Sequence, residues 1–163
     1  MRLRVAFACL LVMTLAACAE LNQLGALVQP PHFEQVPDQP AEIRLAGTSG
    51  IAVRLWTRVT NPNPFEFTLS TLKGTLFLDD THAADAEFPL GVPLGAGRDR
   101  VIPIDISVRF SDLPALGRLS GRLLSRQPVT YRLDGTIGVD AGRLGRPVFG
   151  PMTLVRGETR GTQ

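Results

Sequence analysis

Thr60-Asn61-Pro62-Asn63-Pro64-Phe65 is the stretch on which the reading of this chain turns. Ile51, Val53, Leu55 and Val59 alternate along a strand that runs into it, and a second alternating run starts just beyond. The two prolines hold φ near −65° and push Asn61 and Asn63 toward extended backbone, so neither a helix nor a regular ladder continues through. The asparagine side chains are suited to bond nearby backbone and replace lost ladder partners. Phe65 supplies an apolar plug at the turn. The stretch is expected to be a rigid corner between strands, with no catalytic equipment.

Working outward, period-two alternation dominates from Glu42 onward. Glu42-Ile43-Arg44-Leu45 is a short strand candidate, and Arg54, Trp56 and Arg58 take the face of the next strand opposite its aliphatic residues. Leu72, Gly74, Leu76 and Leu78 alternate with Thr71, Lys73, Thr75 and Phe77, and Asp79-Asp80-Thr81-His82 is a hairpin turn candidate. A weaker strand runs through Ala86 to Leu90. The cleanest strand is Val101 to Phe110, where Pro103 requires a free edge or a bulge. A helix capped by Ser111 or Asp112, with Leu116, Leu119 and Leu123 on one side, is expected to follow. Val129 to Val139 and about Pro147 to Val155 complete the set, with Pro151 marking an edge or bulge. Roughly seven short strands without a βαβ rhythm predict an antiparallel sandwich.

The chain opens Met1-Arg2-Leu3-Arg4 and then runs apolar from Val5 to Leu15. Two arginines, ~11 apolar residues and a small-residue end read as a secretory signal, too short at ~1.5 Å per residue to span a bilayer. Leu15-Ala16-Ala17-Cys18 looks like a bacterial lipobox, which implies cleavage before Cys18 and lipidation of that residue. The expected organisation is a signal peptide over 1–17, a lipid-anchored tether over 18–40, a sandwich domain over 41–157 and a flexible tail over 158–163. Tether prolines favour extended backbone, with a fold-back as a strand through Phe33 and Val36 as the alternative. The precursor has 17 basic and 15 acidic residues. Arg2 and Arg4 leave with the signal, so the mature balance is even and gives no support to nucleic-acid binding. Lipidation would occupy the one mature cysteine, which excludes an internal disulfide or a thiolate metal site.

Taken in order, these blocks resemble the water-stress and hypersensitive-response (WHy) domain of the late-embryogenesis-abundant group 2 proteins. The carrying motifs are Asn61-Pro62-Asn63-Pro64-Phe65, Leu72-Lys73-Gly74-Thr75-Leu76, Pro93-Leu94-Gly95-Ala96-Gly97 before Val101-Ile102-Pro103-Ile104, and Tyr131-Arg132-Leu133-Asp134-Gly135-Thr136-Ile137. The resemblance spans roughly Phe33 to Gly157. It implies a mainly β fold: an antiparallel immunoglobulin/fibronectin-III-like β-sandwich of about seven strands, with one short helix between the late strands. It also implies an association with dehydration stress and no enzymatic activity. A hydrophobic content of 44% agrees with a folded member. Glu20, two places after Cys18, favours outer-membrane sorting by analogy with Gram-negative lipoproteins.

Catalysis has little to work with. His32 and His82 are the only histidines, no Gly-x-Ser-x-Gly elbow occurs, and Gly47-Thr48-Ser49-Gly50 is one residue short of it. Asp79, Asp80, His82 and Asp85 form the one metal-like cluster, and their spacing fits a solvated hairpin tip better than a calcium loop. No cofactor and no metal is expected. Arg54, Trp56 and Arg58, joined by Phe77, form a candidate patch for a protein partner unless the helix or the tether covers it. Three functions compete: an envelope lipoprotein protecting proteins or membrane during water loss, an adaptor docking an envelope partner at a sheet edge or at Trp56, and a binder of lipid between the sheets.

Overall fold

The computed structural model describes residues 27–47, 50–109, 121–122 and 125–160, which build two antiparallel sheets. In chain order the strands are β1 (His32–Gln35), β2 (Glu42–Ala46), β3 (Gly50–Thr60), β4 (Phe67–Leu78), β5 (Thr81–Leu94), β6 (Asp99–Arg109), β7 (Pro128–Asp140) and β8 (Val148–Arg160). In the first sheet β3 pairs along its whole length with β6, from Gly50↔Arg109 to Thr60↔Asp99. Its other side is shared: β1 covers Thr57 to Thr60 and β2 covers Gly50 to Arg54. Eight strands therefore fill seven positions. The second sheet runs β5-β4-β7-β8.

The alternation seen in the sequence becomes the core. Ile51, Val53, Leu55 and Val59 of β3 and Ile102, Ile104, Ile106 and Val108 of β6 are buried from one side. Phe67, Leu69, Leu72, Leu76 and Leu78 of β4 and Val129, Leu133, Ile137 and Val139 of β7 close it from the other. Each such side chain contributes roughly 1.5–3 kcal/mol of burial. A register shift between Leu69 and Thr71 changes the parity of β4, so Leu69 and Leu72 both face inward. Where Gly135 of β7 faces Gly74 of β4, a Cβ on Gly135 would lie 2.7 Å from the Gly74 Cα. That approach admits only glycine.

Prolines mark the edges as expected. Pro103 lies on β6 and Pro151 on β8, each the outer strand of its sheet, and β5 on the far edge carries Pro89 and Pro93. Both outer strands of the second sheet are longer than the sequence reading. β5 spans Thr81 to Leu94, where a weak strand over Ala86 to Leu90 was expected, and β8 runs on to Arg160, into the segment expected as a tail. At the other terminus, Val28 and Val36 are buried and β1 is laddered to β3, so the second half of the expected tether follows the fold-back alternative. The helix expected after β6 lies outside the described residues, apart from Gly121 and Arg122, which are helical.

Candidate functional site

Chain geometry at the asparagine corner follows from its prolines. β3 stops at Thr60, β4 starts at Phe67 in the opposite sheet, and the segment between them is the first crossing from one layer to the other. Asn61 and Asn63 are both buried. The Asn61 carboxamide Nδ2 donates to the carbonyls of Phe65 (2.8 Å), Leu94 (3.1 Å) and Gly95 (3.1 Å). Its Oδ1 accepts from the Asn63 backbone N–H (2.9 Å) and from Asn63 Nδ2 (3.0 Å). Asn63 in turn holds Gln29 from both sides: Gln29 N–H donates to Oδ1 (2.8 Å) and Nδ2 donates to the Gln29 carbonyl (3.0 Å). Backbone bonds from Asn61 N–H to Arg98 O and from Gly97 N–H to Asn63 O complete the joint. Two side chains thus satisfy the backbone of three separate segments, and a buried network of this kind stabilises only when complete. Phe65 packs partly buried against the core.

A second set of bonds ties the N-terminal segment to both sheets. Gln35 Nε2 donates to Tyr131 Oη (3.2 Å), Thr57 Oγ1 donates to the Glu34 carbonyl (3.1 Å), and the Thr159 hydroxyl donates to the Ala41 carbonyl. Tyr131 is 4% exposed, and burial pushes its hydroxyl pKa up. Sequence reading placed Tyr131 on an inward face but carried no sign of its partners, which lie about a hundred residues upstream.

Arg54, Trp56 and Arg58 do share the outer face of β3, and their register decides what that face is. Opposite them on β6 stand Asp105, Pro103 and Val101, with Asp99 diagonal to Arg58, two residues from Val101 and opposite Thr60. Arg54 forms a two-pronged pair with Asp105 (2.6 and 3.1 Å) and Arg58 donates to Asp99 (2.5 Å). The hydrogen bond to Asp105 raises the Arg54 pKa above its ordinary value. The expected arginine patch is therefore neutralised across the ladder, with the Arg54 guanidinium 6.0 Å from the Trp56 ring centroid. On its other flank Trp56 meets the segment between β1 and β2. It lines an open cleft of about 610 Å³ with Asp38, Pro40, Glu158 and Arg160. The indole is half-buried, covered in part by the folded-back chain. Phe77 does not join this patch. It projects from β4 in the other sheet, where Arg132 stacks at 4.7 Å and His82 meets it edge-on at 6.2 Å.

Asp79 and Asp80 are the two central residues of the β4–β5 hairpin, with φ of 47° and 58°. Asp79 takes bonds from Arg122 (2.5 Å) and from Thr130 N–H (3.1 Å), while Asp80 meets Arg132 (3.3 Å). His82 lies 3.3 Å from Asp85, which also accepts from Thr75 (2.7 Å). The Thr75 bond, followed by that from His82, holds the Asp85 carboxyl below the usual range. Among the described residues no three potential metal ligands converge. An open recess of about 550 Å³ on the outer face of the second sheet is lined by Lys73, Thr75, Phe77, Asp85, Glu87 and Pro151 among others. Lys73 and Glu87 pair across it at 3.0 Å. The expected lipobox, Leu15 to Cys18, lies outside the described residues.

With this geometry in hand, likeness to known proteins is informative. A solution structure of an Arabidopsis thaliana protein, AT1g01470, superposes with a TM-score of 0.61 at 17% identity, covering 80% of this chain and 82% of that one. A crystal structure of an Archaeoglobus fulgidus protein gives a TM-score of 0.46 at 13% identity, over 83% and 97% of the two chains. No curated protein matches the sequence. The family model described as late embryogenesis abundant protein, LEA_2, matches residues 57–152, from the end of β3 through the asparagine corner into β8. The chain belongs to this family of late embryogenesis abundant proteins.

Proposed function

We propose that this protein is a non-enzymatic lipoprotein of the cell envelope, anchored through Cys18 to the periplasmic face of the outer membrane, whose WHy-type domain protects envelope proteins or membrane during water loss. The observation that carries the reading is the family match over residues 57–152, on a chain whose first residues spell a signal and lipobox. The strand arrangement, a (β1/β2)-β3-β6 sheet on a β5-β4-β7-β8 sheet, supports a fibronectin-III-like sandwich as the vehicle. Its interior is occupied by buried aliphatic side chains from both sheets, which weighs against a lipid ligand held between them. Cofactors have no part in this role.

Two measurements test it. Cys18→Ser is expected to abolish incorporation of labelled palmitate and to release the protein from membranes; a variant that still takes up label overturns the anchor. Three acyl chains exceed what stable anchoring requires, so high salt is expected to leave the wild type in place. A labile enzyme dried with the unlipidated protein is expected to retain more activity than with an equal mass of albumin, and no advantage over albumin overturns protection. A protein partner at Trp56 is the second reading, favoured by a half-exposed indole beside an open cleft. One stoichiometric cross-linked partner, lost on Trp56→Ala, would establish it.

A further inference from the structure

Where the chain joins the folded body determines which end of the sandwich the anchor holds. Val28 is buried and Gln29 is bonded on both its N–H and its carbonyl by Asn63. The polypeptide therefore leaves the domain beside the asparagine corner. Nine residue-to-residue steps lead from Cys18 to Leu27, and no chain of that length reaches beyond roughly 30 Å. β3 alone, at ~3.3 Å per residue, is about as long again. With the Cys18 anchor proposed above, the corner end stays within roughly 30 Å of the membrane, and the Asp79–Asp80 end is the far one.

The chemistry of the corner end suits that position. Three connections meet there: the corner itself, the β5–β6 turn and the β7–β8 loop that contains a 3-10 turn over Gly142–Leu144. Arg98, Arg100 and Arg143 are exposed in or beside them and form no ion pair among the described residues. Of the acids at this end, Asp99 pairs with Arg58 and Asp140 with Arg146, leaving Glu66 and, opposite Arg58 on β1, Glu34 without an ion pair among the described residues. Leu27, 64% exposed, and Val148, 67% exposed, are two of the three most exposed large aliphatic side chains described, and both stand at this same end. Unpaired cations beside protruding aliphatic groups, at the point of tethering, match the interfacial layer of an anionic bilayer.

We propose that the corner end of the sandwich docks on an anionic phospholipid surface, with Arg98, Arg100 and Arg143 meeting headgroup phosphates and Leu27 and Val148 entering the interface. The orientation rests on the lipid anchor proposed above, whereas the surface itself is testable without it. The full mature chain carrying Cys18→Ser, and so lacking any acyl group, is mixed with vesicles of phosphatidylcholine alone or of equal parts phosphatidylcholine and phosphatidylglycerol. Binding is expected only to the anionic vesicles and is expected to weaken as salt rises from low to 0.5 M. At about fivefold per arginine near a charged surface, Arg98→Ala, Arg100→Ala and Arg143→Ala together should weaken it by about a hundredfold. Removing the same charge from the far end, with Arg126→Ala, Arg156→Ala and Arg160→Ala, should leave it within a few-fold. An unchanged thermal midpoint in both triple variants keeps folding out of the comparison. No binding to anionic vesicles, equal binding to both compositions, or equal loss from the two triple variants would overturn the docking surface. Failure of palmitate labelling would remove the anchor and leave this result standing.

Discussion

Asn61 offers the sharpest test of how this fold is held. Its side chain is fully buried and makes five hydrogen bonds, three donated to carbonyls of Phe65, Leu94 and Gly95 and two accepted from Asn63. Gly95 O retains a bond from Arg98 N–H when the carboxamide is removed; Phe65 O loses the Asn61 donor and the Asn63 amide loses its acceptor. At about 0.5–1.5 kcal/mol net for each bond, Asn61→Ala should cost about 3–5 kcal/mol, a large part of the ~5–15 kcal/mol total of an ordinary domain. That corresponds to a fall of roughly 10–20 °C in Tm. Asn61→Asp keeps the shape but turns an oxygen toward three carbonyls and buries a charge, so at pH 7 it should cost more than the alanine. Acidification should then rescue the aspartate variant in part, because its protonated form regains a donor. Urea unfolding followed by the fluorescence of Trp56, the sole tryptophan, measures all three proteins. A loss below about 1 kcal/mol for Asn61→Ala, or an aspartate variant as stable as the alanine at pH 7, would refute the corner network as a determinant of stability.

Three further outcomes follow from other sites. Gly135→Ala places a methyl against Gly74 Cα and should destabilise by about 1–3 kcal/mol, read as a lower urea midpoint. Thr159→Val removes the donor to a buried carbonyl at Ala41 and should cost about 1–3 kcal/mol by the same measurement. Burial raises the Tyr131 pKa above its unfolded value of about 10, so the folded state holds that proton more tightly. Stability should be full below about pH 10 and fall as pH climbs toward the folded-state pKa. Tyr131 is the sole tyrosine, and Tyr131→Phe should flatten that alkaline decline in a series of thermal melts; an unchanged slope would remove Tyr131 as its cause.

Strands with one face on the core were legible, because burial imposes a two-residue period on β3, β6 and β7. β5 was seen only in part. As an outer strand it buries little beyond Ala83 and Leu94, so prolines and charges occupy positions that a central strand would fill with aliphatic groups. The bulge after Leu69 was invisible for a related reason: both parities of β4 carry apolar residues, and the partner strand decides which of them turn inward. At the corner, the prolines and asparagines announced a break in the ladder, but the carbonyls they serve come from residues 94 and 95 and from Gln29. Likewise the charges of Arg54 and Arg58 have no visible partner in the sequence, and the β3–β6 register sets Asp105 directly across from Arg54 and Asp99 diagonal to Arg58. Pairings between distant segments carry no local trace.

The outer strands have a consequence for a protein whose proposed work begins when water is withdrawn. Drying concentrates every solute, and a long bare strand edge then becomes a template on which neighbouring molecules add strands and aggregate. Here β5, β6 and β8 each place proline in the outward ladder, and the fourth edge is cut into the short pieces β1 and β2 by the loop opposite Trp56. Among the described residues each edge strand is interrupted by proline or by a break, which shortens the row of amides and carbonyls it presents to another copy during desiccation.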